Sequence, residues 1–324
     1  MALTLIWRWI QMRPETIFNK TILLSPLNWG MGHVARCISL IHQLIQQENR
    51  LIIACSESQK QIFKSYFPDL VYENHEGYPF KFNGKGNFGK DLLFSFFNLN
   101  KRLKREKKEV NELVEKYDVD IILSDHRYGF ISQKCSSIFI THQLNLNVLW
   151  HSKLVDLLHK KLINPFDFIW ILDTPYSKFA GKLSVNKAFK NVEYIGPYSR
   201  FSLYDQQGKT IPLVVIISGP EPYSKQFFKQ QFEIANKKKD KTVFIVPAHY
   251  PTKSQFEQIE ISSSSDWKVT DLIILQAQKI ISRSGYSTIM DLNVLNTQYE
   301  LIATKGQQEQ EYLNFIHKIE INRN

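Results

Sequence analysis

Cysteine is scarce in this 324-residue chain, and the three present, Cys37, Cys55 and Cys135, form an odd, widely separated set. They offer neither a disulfide framework nor the paired spacing of a zinc site, and they read as reduced thiols of a cytosolic protein. Long apolar runs are missing too: none reaches the roughly 18 to 20 residues that span a bilayer. Acidic residues are in the minority, 31 Asp and Glu against 41 Lys and Arg, a formal charge of +10. Residues 1–200 hold +9 of that excess and the remainder +1, so any anionic surface is met by the first half. No recognition-helix, zinc-finger or aromatic RNA-binding pattern accompanies the charge, so nucleic acid is not the expected partner. An anionic membrane surface is compatible with it.

What is present is the composition of a folded protein, 43% hydrophobic and 22% charged, long enough for two domains with their own cores. Short apolar runs alternate with helical patterns. The stretches KTILLSPL, RLIIACS, VDIILSD, SSIFITHQ and FDFIWILD read as buried strands, with helical patterns such as residues 33–47 and 91–117 between them. The alternation predicts βαβ units in a parallel, doubly wound sheet. It pauses around Gly196, Pro197, Gly208 and Pro212, then restarts with LVVIISGP, KTVFIVPA, QKIISRSG and YELIAT. Two Rossmann-like domains are therefore expected, residues 20–203 and 204–324, with a ligand cleft between the carboxyl ends of their sheets. Residues 1–19 stand apart. MALTLIWRWIQM is too short to cross a membrane and has Arg8 inside it, which leaves an interfacial stripe (Leu3, Ile6, Trp7, Ile10) or a leader ahead of Met12.

Three stretches carry chemistry. In LSPLNWGMGHVAR a strand passes into a helix through Gly30 and Gly32, with His33 at the opening and Arg36 one turn on. Glycines admit close approach to backbone amides and a helix start favours anions, so this is an anion-binding mouth beside a titratable group, or else a plain turn with a capping histidine. In KIISRSGYSTIMDL a strand ends at Ser282-Arg283-Ser284-Gly285 and a helix opens near Ser287 or Thr288. That geometry suits a phosphate, and Asp291 could take paired hydrogen bonds from a ribose diol. In TKGQQEQEYLNFI, Gln307, Glu309 and Gln310 cluster where the last helix begins, and such a mix of donors and acceptors suits sugar hydroxyls.

GMGHVAR, SRSGYSTIMDL and GQQEQEYLN, in this order and at these separations, resemble the GT-B glycosyltransferases of family 28, which include the peptidoglycan N-acetylglucosaminyltransferase and the plant galactolipid synthases. The likeness spans roughly residues 20–315 and is nearest to uncharacterised bacterial members with NWGxGHxxR early and SRSGYST late. It implies a nucleotide-sugar donor, usually a UDP-sugar, held mainly by the second domain. Ser284, Gly285 and Thr288 would lie near the diphosphate, Asp291 on the ribose and Glu309 with Gln310 on the sugar, while His33 would face the reaction centre. Gly30, Gly32, Arg283, Ser287 and Gln307 complete the expected donor side. This chain departs from the family in filling part of the first loop with Asn28 and Trp29, and in ending soon after the last motif.

LSDHRYGF supplies Asp125 at the end of a buried strand. An inverting transfer needs one group to take the acceptor proton while cations or helix dipoles hold the departing diphosphate, without metal or cofactor. Asp125 and His33 are the two candidates for that base, and Arg36, Arg127 and His142 are the acceptor-side candidates. The acceptor would be a hydroxyl on a glycan or lipid-linked molecule, and the location cytoplasmic or peripheral on the inner membrane face, as in cell-envelope synthesis. A nucleotide-sugar epimerase on the same scaffold and a non-catalytic nucleotide-sugar-binding protein stand as alternatives. GKGNFGKD imitates a phosphate-binding loop, but Asp91 follows Lys90 where a hydroxyl is required. KRLKREKKEV predicts a helix with a thin apolar stripe and a broad basic face, open to solvent or to anionic lipid.

Overall fold

The computed structural model describes residues 12–78, 88–146, 153–238 and 241–321, with side chains 79–99, 154 and 319–321 not among those described. The segment ahead of Met12 and the first half of GKGNFGKD lie outside the described residues. The first domain is a seven-stranded sheet in the order β3-β2-β1-β4-β5-β6-β7. Its strands are β1 (Thr21–Pro26), β2 (Arg50–Cys55), β3 (Val71–Asn74), β4 (Ile121–Asp125), β5 (Ser136–Thr141), β6 (Phe168–Ile171) and β7 (Val192–Tyr194). The second is five-stranded, β10-β9-β8-β11-β12, built from β8 (Ile211–Ile216), β9 (Thr242–Val246), β10 (Ile259–Ser263), β11 (Ala277–Arg283) and β12 (Gln298–Ile302). Every pairing is parallel. Ile22, Leu23 and Leu24 are all fully buried, as in a sheet covered by helices on both faces, so β1 is apolar throughout rather than alternating.

Among the described residues four helices accompany the first sheet: α1 (Gly32–Gln46), α2 (Glu57–Tyr66), α3 (Phe88–Tyr117) and α4 (Lys153–Ile163). Four accompany the second: α5 (Tyr223–Lys237), α6 (Trp267–Leu275), α7 (Tyr286–Leu295) and α8 (Gln308–Ile321). No described helix is long and apolar enough to cross a membrane. The basic run is part of α3. Lys101, Lys104, Arg105, Lys107 and Lys108 are exposed, while Arg102, Leu103, Glu106 and Val110 face inward, the amphipathic division its spacing predicts.

In each sheet the chain reverses its direction of growth beside the first strand, between β1 and β4 and between β8 and β11. Such a switch point leaves a crevice at the carboxyl ends of the strands. Register places Pro26 beside Asp125, so the glycine-rich loop after β1 and the carboxylate at the end of β4 open on one crevice. Residues 195–210 connect the two sheets and contain a short 3-10 turn, Arg200–Leu203, at whose end the expected division between residues 203 and 204 lies.

That connection is held by charge. Arg200 Nε donates to Asp271 Oδ1 on α6 at 2.7 Å and its Nη1 to Asp291 Oδ2 on α7 at 2.8 Å. The guanidinium also lies 4.9 Å from the Trp267 ring centroid. Tyr66 of α2 in the first domain donates to Asp271 Oδ2 at 2.5 Å, so one cation and one carboxylate tie both domains to the connection. Truncating a buried cation strands its carboxylates. Arg200→Ala is expected to cost about 3–5 kcal/mol, read as a lower urea midpoint at pH 7, whereas an unchanged midpoint would remove this cluster from the fold's supports.

Candidate active site

The site starts at α1. Gly30 sits at φ +115°, a conformation that side chains oppose, and it turns the chain from β1 into the helix. The neighbouring Asn28 Oδ1 accepts from the Tyr78 amide at 3.0 Å, which pins the loop to the segment after β3. Gly32 is needed for a different reason: a Cβ there would lie 2.7 Å from Ser287 Oγ of the second domain. Ser287 instead donates to the Gly32 carbonyl at 2.8 Å, so the two glycine-flanked loops picked out in the sequence meet.

One turn into α1, His33 and Arg36 converge on Asp125. His33 Nδ1 is 2.9 Å from Asp125 Oδ2, Arg36 Nε donates to the same oxygen at 3.0 Å, and Arg36 Nη2 donates to Oδ1. Asp125 has no accessible surface. Burial opposes its charge, yet the Arg36 cation and the contact with His33 hold its carboxyl well below the usual range. His33 keeps 15% of its side chain exposed. Burial, and then the Arg36 charge, lower its pKa, so at neutral pH the imidazole is uncharged. Among the described residues its Nε2 has no hydrogen-bond partner.

Arg36 extends the network. Its Nη1 lies 3.2 Å from His142 Nδ1, and His142 Nε2 lies 3.0 Å from Glu309 Oε1 on α8. One neutral imidazole can accept at Nδ1 and donate at Nε2, and burial lowers the His142 pKa accordingly. Burial works against the Glu309 charge, but the hydrogen bond from His142 keeps its pKa below the ordinary value. The His142 ring is stacked on Tyr286, centroids 3.9 Å apart and planes within 5°. Tyr286 in turn donates to the Leu172 carbonyl of the first domain. Tyr286 is missing from the sequence expectation; its only signal there is a place inside SGYST.

The other expected residues divide. Gly285, at the N-terminus of α7, has Thr288 Oγ1 within 3.9 Å of where its side chain would begin. Gln307 is half-buried ahead of α8. Ser284 is buried and donates to the Gln310 carbonyl at 2.8 Å, and Gln310 Oε1 accepts from the Thr304 amide at 2.9 Å, so both hold the β11 and β12 ends together. Arg283 points back into its own domain, donating to the Ala303 and Tyr223 carbonyls, 4.1 Å from the Phe227 centroid, and burial lowers its pKa to about 10. Asp291 accepts from Ser199 Oγ at 2.6 Å and from Arg200, which places it at the connection between domains. Arg127 is fully buried away from this cluster; its Nε donates to Glu106 at 2.7 Å and its Nη2 to the Glu76 carbonyl. An acceptor would not reach it there.

Two more histidines adjoin the cluster: the His126 centroid is 5.8 Å from those of His33 and His142, and 6.5 Å from that of His159. Burial lowers the pKa of all four, that of His159 to about 4. Their unfolded counterparts take up protons near pH 6.5, so acid favours unfolding over this window. Stability is therefore expected to fall as pH drops from about 6.5 towards 4, with His159 alone contributing roughly 3 kcal/mol. Urea midpoints across this range check it, and His159→Gln should flatten the lower part.

No protein-family model and no curated protein matches this sequence. Solved structures do resemble the fold. The spinosyn rhamnosyltransferase SpnG aligns at 13% identity and a TM-score of 0.61, over 92% of this chain and 84% of that one. The calicheamicin glycosyltransferase CalG4 aligns at 13% and 0.60, over 93% and 84%. S. aureus MnaA, solved with UDP, aligns at 12% and 0.55, over 93% and 88%. SpnG has also been solved with thymidine diphosphate, aligning at 12% and 0.56 over 92% and 84%. The likeness is one of fold: two parallel-sheet, Rossmann-like α/β domains in the GT-B architecture of these neighbours.

Proposed function

We propose that this protein is a glycosyltransferase that moves a sugar from a nucleoside diphosphate, a UDP-sugar in the reading favoured by its motifs, to a hydroxyl acceptor with inversion. The observation that carries the reading is the His33–Asp125 contact of 2.9 Å at the end of the first domain, with Glu309 of the second tied to the same cluster through His142. The nucleotides bound by SpnG and MnaA support a diphosphate donor. Of the sequence's two candidate bases, the imidazole is the better placed, since it keeps 15% of its side chain exposed and Asp125 none. His33 Nδ1 faces both Asp125 Oδ2 at 2.9 Å and Arg36 Nη2 at 2.7 Å. The reactive tautomer is the one that donates from Nδ1 to Asp125 rather than the one that accepts from Arg36, because it leaves the Nε2 lone pair to an acceptor hydroxyl. Asp125 acts through it, fixing the tautomer and stabilising the imidazolium as the proton arrives.

The departing diphosphate would lie at the N-terminus of α7 beside Gly285 and Thr288, where free amides and the helix dipole favour negative charge. Glu309 and Gln307 would take sugar hydroxyls. Loss of a general base costs about 10²–10⁴ in rate, so His33→Ala should lower kcat by at least about a hundredfold while UDP still binds in calorimetry. The lowered His33 pKa puts the acid limb of kcat/KM below pH 6.5, and that limb should vanish in His33→Ala. A panel of UDP- and TDP-sugars, with and without an acceptor screen, separates transfer from epimerisation and from simple binding. Failure of both nucleotides to bind would end the proposal.

A further inference from the structure

A crevice of about 530 Å³ opens at the back of the hinge, between the last turns of α1, the connection around Pro197–Leu203 and the end of α7. It is separate from the cleft, since Gln43 lies ten residues beyond His33, about 15 Å along the helix axis. Its walls offer hydroxyls, an amide and an imidazole from Ser39, Ser202, Gln43 and His42, over an apolar floor that includes Pro197 and Val294. No Asp, Glu, Lys or Arg lines it. Phosphates and carboxylates find no fixed charge there, and a purely apolar ligand would leave the polar wall unpaired.

Ser39 supplies the second observation. The residue forms part of the crevice wall at 7% exposure, while its hydroxyl is turned away from solvent and has no hydrogen-bond partner. Buried polar groups are normally satisfied, so this hydroxyl has no bond to give up when its χ1 turns to meet a ligand in the crevice. Gln43 is already oriented, its Oε1 accepting from Tyr198 Oη at 2.7 Å, which leaves the amide nitrogen to donate. Hydroxyl-binding groups above an apolar floor, without charge, match the two-faced surface of a pyranose. We propose that this crevice is a second small-molecule site, taking a neutral hydroxylated ligand of mono- to disaccharide size.

The position gives such a ligand influence. It would touch α1, which carries His33 and Arg36, the connection, and the helix that carries Asp291. Ser199 lines the crevice and donates to Asp291 at 2.6 Å. A ligand bridging these three pieces favours their present arrangement over one in which the domains separate.

Calorimetric titration of the full chain with glucose, N-acetylglucosamine and maltose tests the site. At least one sugar should bind saturably, and Ser39→Val and Gln43→Leu should each weaken it tenfold or more with melting temperatures close to wild type. His33→Ala should leave the same binding within twofold, since that residue belongs to the cleft. Silence from all three sugars overturns the proposal. So does binding that survives both crevice substitutions, or that is lost in His33→Ala instead. The two substitutions lie on successive turns of α1, so misfolding of one leaves the other to decide.

Discussion

A carboxylate with no access to water must be neutralised where it stands, and Asp125 imposes that requirement on the whole cleft. Arg36 meets it with two hydrogen bonds, a planar fork that a lysine could not supply. The pairing fixes the rotation of α1 against the end of β4, because the guanidinium can reach both oxygens from one helical face only. His33, three residues earlier on that face, is then delivered to the same carboxylate. Loop glycines make the approach sterically possible; the buried charge selects it.

The same arginine has donors to spare, and Nη1 carries its influence towards the second domain. Arg36 engages Nδ1 of His142 and thereby fixes its tautomer, and the other nitrogen then faces Glu309. A charge buried in one domain is thus felt at a carboxylate of the other through a single neutral ring. At the hinge the logic differs. Arg200 stands between two carboxylates and leaves a net negative cluster, and the Asp291 pKa is raised by burial with help from Asp271. Both networks set one guanidinium against two carboxylates, but in the cleft the second of these, Glu309, is reached through a neutral imidazole, whereas at the hinge Arg200 touches both directly.

Much of this was legible in the sequence. All nine expected strands are present, and the three missing from the expectation, β3, β7 and β10, are edge strands. VYEN, VEY and IEISS carry few apolar residues because an edge strand has one paired side and less to bury. The meeting of the GMGH and SGYST loops follows the same pattern, since both end central strands at a switch point. Side-chain direction was not legible. Arg127 and Asp125 stand two residues apart at the end of β4, yet one is drawn to Glu106 and the other to Arg36, partners distant in sequence. Arg200 gave no signal at all, because a connecting segment has no periodicity against which a buried cation stands out.

The internal pairing of the cleft bears on how any donor could bind. Ser287 is bonded to the Gly32 carbonyl and Glu309 to His142. In the proposed function these are groups that a nucleotide sugar would engage, so its binding would be an exchange of hydrogen bonds rather than a gain of new ones. An exchange yields only the difference between two similar energies, on the order of 1 kcal/mol per bond. Under the proposed function net affinity would then come from the pyrophosphate, whose charge no side chain among the described residues imitates at Gly285. Because both contacts cross between domains, exchanging them would loosen the hinge as the diphosphate is gripped. Under the proposed function, selectivity for a charged donor and movement of the domains would then follow from one set of bonds.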